Sequence, residues 1–425
     1  MFLEFNVENF RSIADRQTLS FVAGKHRSEA SGAPAVDDPG FRAGKVLTSA
    51  VIYGANASGK SNVVRALNEM IWLIARSATP GTLRANPFRL DAEWANKPTR
   101  FELSFVKDGV RYQYGFSLTS ERVHEEWLIA YPKKTPQLWF ERKPGAEKIE
   151  IHFGPSLRGE KARLATMTRP DALFLTVAAQ FNNPQLSDIH QWLVRGVRAQ
   201  RAQGFGPTLT ARAAESDAST RHAISDMMQA ADLRIVGLTV RRHAKLPEAG
   251  SVIKIKDAVK ADEAEYFEIL TEHDGADGSR VLFNLVDDES DGTIRYFELV
   301  GPIMAVLGSG GLLAVDELNE CLHPLLVRKI VSLFHDPESN PKRAQLLFNT
   351  HDTTLLDPKL LRRDQIWFTE KDAVGKTRLY SLLDYSPRKD EALQRGYLQG
   401  RYGAVPFLGD MRFAVSPDEE PRRAS

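Results

Sequence analysis

Residues Gly54-Ala55-Asn56-Ala57-Ser58-Gly59-Lys60-Ser61 match the pattern G-x-x-x-x-G-K-[ST] at every position. A short apolar stretch, Ala50-Val51-Ile52-Tyr53, leads into the loop. After it, Val63, Val64, Leu67, Met70, Ile71, Leu73 and Ile74 recur at helical spacing. Strand, glycine-rich loop and helix are the context this chemistry needs. The glycines let backbone N–H groups curl around phosphate oxygens, and the helix N-terminus turns its positive end to the same anion. Lys60 then reaches the β- and γ-phosphates and the Ser61 hydroxyl ligates Mg²⁺. Asn56, Ala57, Ser58, Gly59, Lys60, Ser61 and Asn62 are the candidate nucleotide contacts.

Leu312-Leu313-Ala314-Val315-Asp316-Glu317 is an apolar strand ending in two acids. In an α/β sheet that position is the carboxyl edge, where ligands bind. Asp316 is the candidate Mg²⁺ ligand and Glu317 the candidate general base; the competing reading is a buried strand with two solvated acids at its end. Another strand, Ala344 to Asn349, runs into Thr350-His351-Asp352, and His351 follows Asp316 by 35 residues. That interval holds one helix and one strand, which brings His351 to the neighbouring strand end. Glu289-Ser290-Asp291-Gly292-Thr293 precedes a helix. Ser290 and Gly292 at a helix start form a second anion site, or a plain N-cap. The acids Asp287, Asp288, Glu289 and Asp291 read as a solvated loop rather than a metal cluster.

Alternating strands and helices toward both ends predict an α/β core. Residues 1–85 form a first lobe carrying the phosphate loop. Residues 86–278 read as an insertion, strands first and then a helical stretch over 171–230. Residues 279–413 form a second lobe, and 414–425 a disordered tail. Residues 100–106 and 110–118 are expected to pair as a hairpin. Residues 25–44 read as a loop.

The 425 residues carry 56 basic and 55 acidic side chains, so no global charge points to nucleic acid. Arg195, Arg198, Arg201, Arg212 and Arg221, with Arg241, Arg242 and Lys245, leave a local nucleic-acid contact open. One cysteine, Cys321, excludes an internal disulfide framework. The N-terminus lacks the basic and continuous apolar regions of a signal peptide, and no apolar run is long enough to span a bilayer. A cytoplasmic protein that makes no membrane contact is expected.

These motifs, in this order, resemble the ABC-like AAA ATPases of anti-phage defence, the RloA/AbiL abortive-infection type, related to OLD-family and SMC ATPases. The opening Glu8-Asn9-Phe10-Arg11-Ser12, the phosphate loop, Ser290–Thr293, Asp316-Glu317, His323-Pro324 and Thr350-His351-Asp352 carry the resemblance. So does the C-terminal run from Gln365 through Gly396-Tyr397 to Gly400-Arg401-Tyr402-Gly403. The resemblance implies a P-loop NTPase fold of ABC-ATPase type, with a β-rich lobe and a mixed insertion between phosphate loop and signature. It implies ATP hydrolysis with Mg²⁺, and His351 as the γ-phosphate sensor. Residues Ser290 and Gly292 become a degenerate signature that seals the partner copy's nucleotide in a head-to-tail homodimer, alone or in a larger assembly. It places Arg11 and Ser12 near the nucleotide. Gln180 becomes the candidate Q-loop residue, contacting both nucleotide and Mg²⁺, with an ordinary helix position as the competing reading. A partner effector, a TOPRIM-like or other nuclease, is also implied. A DNA-binding ATPase of SMC or repair type is the alternative.

Overall fold

The structure is a computed structural model. It describes all residues except 25–34, 39–40, 134, 145–148, 202–203, 232–233, 244–251, 257–263, 386–391 and 407–425. Lys245 and the expected tail therefore lie outside the described residues.

Two sheets and the helix between them build the core. The first is a seven-stranded antiparallel sheet, in the order Ile149–Phe153, Gln137–Pro144, Val123–Tyr131, Val110–Leu118, Thr99–Lys107, Phe2–Glu8, Gln17–Ser20. The expected hairpin forms, with Thr99 opposite Leu118 and Lys107 opposite Val110. Its turn residues Asp108 and Gly109 both take positive φ, 49° and 73°, the conformation that matches strand twist in a two-residue hairpin.

The second sheet has the order Val197–Arg201, Leu312–Asp316, Gln345–Asn349, Ser49–Gly54, Ile366–Lys371, Thr377–Ser381. Its first five strands are parallel and only the last is antiparallel. Every residue of its three central strands is buried, as their continuous apolar runs require of strands covered on both faces. The helix Lys60–Arg76 lies between the sheets. Its stripe of Val63, Val64, Leu67, Met70 and Ile74 packs with Phe5, Phe101 and Phe116 of one sheet and Ile52 and Ala314 of the other. On the opposite face, Val51, Leu313, Val315 and Phe348 pack against helices Asp291–Ser309 and Pro324–His335. A four-stranded sheet of Gly237–His243, Ile253–Lys256, Ala264–Asp274 and Arg280–Asn284 precedes the first of these helices.

Pro302 sits inside the helix Asp291–Ser309, where a missing N–H weakens the ladder. Thr210 fills the opening: its hydroxyl donates to Phe297 O at 2.7 Å and accepts from Gly301 N at 3.0 Å.

Three expectations need correction. Residues 86–278 do not stand apart from the first lobe: five of their strands extend the sheet begun by Phe2–Glu8. The stretch 171–230 is not helical throughout, because Val197–Arg201 adds the outermost parallel strand of the second sheet. Val197 and Ala199 are buried while Arg198 and Gln200 are not, an alternation suited to an edge strand. Within the expected loop 25–44, Val36–Asp38 pairs with Phe41–Val46.

Candidate nucleotide site

Five parallel strands bring their carboxyl ends to one edge of the second sheet, and the chemistry-bearing residues gather there. Gly54 ends one strand and Gly59 caps the following helix with φ 110°. A Cβ on Gly59 would stand 2.1 Å from Thr377 Oγ1, so the position admits glycine alone. Lys60 is 5% exposed. Its ammonium donates to Gly54 O at 2.7 Å and Ala55 O at 3.0 Å, folding back over its own loop. Burial pushes its pKa down to about 8, while Glu317 and then Asp316 pull it upward. At that value the side chain is still mostly charged at neutral pH.

Asp316 is buried on the adjoining edge, and Asn349 at the next strand end holds both acids. Its amide nitrogen donates to Asp316 Oδ1 at 2.5 Å and its amide oxygen accepts from Glu317 N at 2.6 Å. Glu317 has φ 62°, a left-handed conformation that costs a non-glycine residue about 1 kcal/mol. The Asn349 bond offsets that cost and leaves the Glu317 side chain exposed at the edge. His351 lies within the fields of Lys60 and Glu317. Burial lowers its pKa, Lys60 lowers it further, and Glu317 raises it. Lys60, Asp316, Glu317 and His351 thus share one site.

A chain of hydroxyls braces the loop from behind. Thr377 Oγ1 donates to Ser58 O at 2.9 Å and stands 2.7 Å from Ser12 Oγ. Ser12 Oγ accepts from Asn62 Nδ2 at 2.6 Å, and Ser58 Oγ lies 2.7 Å from Thr369 Oγ1. Asn56 and Ala57 remain exposed at the loop's crest, and Ser61 is half-buried on the first turn of the helix. Beside Ser12 a cavity of about 340 Å³ is lined by Arg11, residues 86–90, Lys371 and Gly375. Asn349, Thr369 and Thr377 escaped the sequence reading; the one signal available was an asparagine closing the buried strand before Thr350-His351.

The hydroxyl brace has a measurable consequence. Thr377→Val keeps the shape but strips the donor from the buried Ser58 carbonyl, a loss of about 1–3 kcal/mol. ATP affinity, measured by titration calorimetry, is expected to fall on the order of tenfold, with Thr377→Ser close to the parent. An unchanged Kd in the valine variant would show that the brace does not shape the loop.

Ser290 caps the helix Asp291–Ser309, its Oγ accepting from Thr293 N at 3.2 Å. That helix has 19 residues and the following strand 5, lengths of about 28 Å and about 17 Å. The helix therefore starts on the side of the sheet to which the returning strand carries Asp316. A Cβ on Gly292 would come 2.9 Å from Cys321 O, so the helix start packs on the segment just after Glu317. Among the described residues, no hydrogen bond joins Ser290 or Gly292 to residues 54–62 of the same chain. Glu289 of the acidic loop accepts from Thr271 Oγ1 at 2.5 Å and pairs with His273 at 2.8 Å. Among the described residues, no group of three or more histidines, cysteines or acids could hold a metal ion.

Gln180 does not reach this site. It ends the short helix Phe174–Gln180, whose Thr176 hydroxyl bonds Ile74 O, with Leu173 N bonded to Ser77 Oγ. Ile74 is 14 residues past Lys60 on one helix, or roughly 21 Å along it. The chain must still pass through the helix Pro184–Gly196 and the strand Val197–Arg201 to return to the edge that holds Asp316. There Gln200 pairs with Val315, next to Asp316.

Fold and phosphate loop together define an α/β P-loop protein. The chain belongs to the AAA family described as "AAA domain, putative AbiEii toxin, Type IV TA system", whose model matches residues 49–357. That span runs from the strand before the phosphate loop to just beyond His351. No curated protein matches the sequence. Among solved structures, the SMC head domain from Thermotoga maritima aligns with TM-score 0.40 at 12% identity, over 89% of this chain and 98% of that one. An SmcHead bound to the C-winged helix domain of ScpA aligns with TM-score 0.43 at 13% identity, over 91% and 99%. These scores are too low to add to what the strand order already shows. No helix among the described residues is long and apolar enough to cross a membrane.

Proposed function

We propose that this chain binds and hydrolyses ATP, and that two copies close head-to-tail around two nucleotides. The observation that carries the reading is the gathering of Lys60, Asp316, Glu317 and His351 at one edge while Ser290, whose helix starts against Cys321 O, makes no hydrogen bond to its own phosphate loop among the described residues. A helix N-terminus that its own phosphate loop does not engage completes an anion site when a second molecule supplies the anion.

The donors fit the nucleotide. The loop amides and the N-terminus of the Lys60–Arg76 helix face a phosphate chain, and Lys60 leaves the Gly54 and Ala55 carbonyls for it. Ser61 and Asp316 supply hard oxygens of the kind Mg²⁺ prefers. Bound there, the ion would neutralise charge on the β- and γ-phosphates. Glu317 orients a water at the γ-phosphate and takes its proton. Asn349 fixes Asp316 and Glu317 in register, and His351 bonds a phosphate oxygen through a ring N–H. The Q-loop role assigned to Gln180 passes to Gln200.

The motif order, by its resemblance to the ATPases of anti-phage defence, supports a regulatory role there. In it, closing and opening of the dimer gate a partner effector, a nuclease of TOPRIM-like or another type. The alternative, a DNA-gripping ATPase of SMC or repair type, draws on the arginines named above. They lie on separate elements: Arg241 pairs with Glu268, Arg221 bonds Ala214 O, and Arg198 is half-buried.

Ser290→Arg tests the trans role. ATP affinity per chain is expected to stay within about twofold of the parent, because Ser290 touches no group of its own loop, while ATP-driven dimer formation disappears on sizing with light scattering. Loss of ATP binding in this variant would place Ser290 in its own chain's site and remove the sandwich.

A further inference from the structure

Two apolar patches flank the two halves of this site. Among the described residues, the strand Arg280–Asn284 is bonded on one side only, to Ala264–Asp274. Val281, Leu282 and Phe283 are consecutive, so they cover both of its faces, and with Val286 they are between 37% and 49% exposed. A bare strand edge with apolar side chains on both faces is a surface that water-soluble proteins ordinarily cover. The strip ends a few residues before Ser290, and exposed Asp287, Asp288 and Asp291 border it, Asp288 with one carboxylate oxygen accepting from Asn284 N at 2.6 Å and the other left over.

The second patch adjoins the phosphate loop. Leu90 is 69% exposed and Val374 51%. Leu90 lies against Gly375, on the rim of the cavity that contains Ser12. The exposed cations Arg11, Arg89 and Lys371 surround it. Of the nearby acids, Asp372 is turned into its own loop, accepting from Val374 N and Lys376 N, Asp91 accepts from Glu93 N, and Glu93 and Asp15 pair with Lys97 and Lys376.

We propose that these patches meet in trans: the Val281–Val286 strip of one copy docks on Leu90 and Val374 of a second copy, with Asp287 and Asp288 facing Arg89 and Lys371. This contact rests on the head-to-tail reading. When Ser290 faces a partner's phosphate loop, residues 281–286 reach at most about 30 Å from it, and the partner's Leu90–Val374 rim is the apolar surface beside that loop. Apolar area then meets apolar area and acids meet bases, which fixes the orientation of the pair. The partner is a second copy of this chain because the complementary halves are both on it.

The test uses full-length Glu317→Gln, Cys321→Ser protein. One preparation carries Leu282→Cys and the other, tagged for size, carries Val374→Cys. With ATP and Mg²⁺, a short bismaleimide is expected to yield the mixed cross-linked dimer, and without ATP none. In the same background Phe283→Asp should weaken ATP-driven dimerisation at least tenfold by sedimentation, with Phe283→Leu near the parent and all variants melting alike. If the parent dimerises with ATP but no mixed product forms and Phe283→Asp dimerises normally, the contact is wrong while the sandwich stands. If the parent itself remains monomeric with ATP, the head-to-tail reading falls, and this contact with it.

Discussion

Glu317→Gln is expected to lower ATP turnover by on the order of 10³-fold, the range lost when a positioned general base is removed. The substitution keeps the side chain's size and can still hold a water, but it cannot take the proton. Glu317 is exposed, and its backbone N–H, not its carboxylate, makes the bond to Asn349, so the left-handed turn and the fold should survive. ATP affinity should therefore change little, and the unhydrolysed nucleotide should hold the closed pair. Turnover measured by phosphate release decides this: a rate within a few-fold of the parent would remove Glu317 from the role of base.

Lys60→Ala is expected to act one step earlier. The ammonium is the only cation placed on the loop itself, and a charge-assisted hydrogen bond contributes about 1.5–3 kcal/mol. Losing two such bonds to phosphate raises Kd at least on the order of 100-fold. The variant also strips Gly54 O and Ala55 O of their donor, so circular dichroism and melting should accompany the titration. Any immunity the protein confers should vanish with binding. Parent-like affinity in a folded Lys60→Ala protein would mean that the loop does not hold a triphosphate.

The legible parts of this site were those written in consecutive residues. The phosphate loop is a local pattern, and the Leu312–Asp316 strand announces itself as an apolar run closed by charge. Ser290 reads as a cap because its partner, Thr293 N, lies three residues on. What stayed hidden depends on distant chain segments meeting. Ser12 and Thr377 are 365 residues apart and touch only in the folded chain. Nothing in the run Lys376-Thr377-Arg378 marks its threonine as the wall behind Gly59. The strand Val197–Arg201 was lost for another reason: five residues, three of them polar, lie between helices and carry no run long enough to break a helical pattern. Missing it removed a strand beside Asp316. The pairing of Phe2–Glu8 with Thr99–Lys107 was likewise invisible, so the strands of 86–278 looked like a separate insertion.

The most direct measurement is the sedimentation equilibrium mass of Glu317→Gln with saturating ATP and Mg²⁺, alongside the same protein carrying Ser290→Arg. A mass near twice the monomer with one ATP per chain, reverting to the monomer in the double variant, is the expected result. A monomer at saturating ATP, or a dimer indifferent to both ATP and Ser290→Arg, would contradict a nucleotide sealed between two copies.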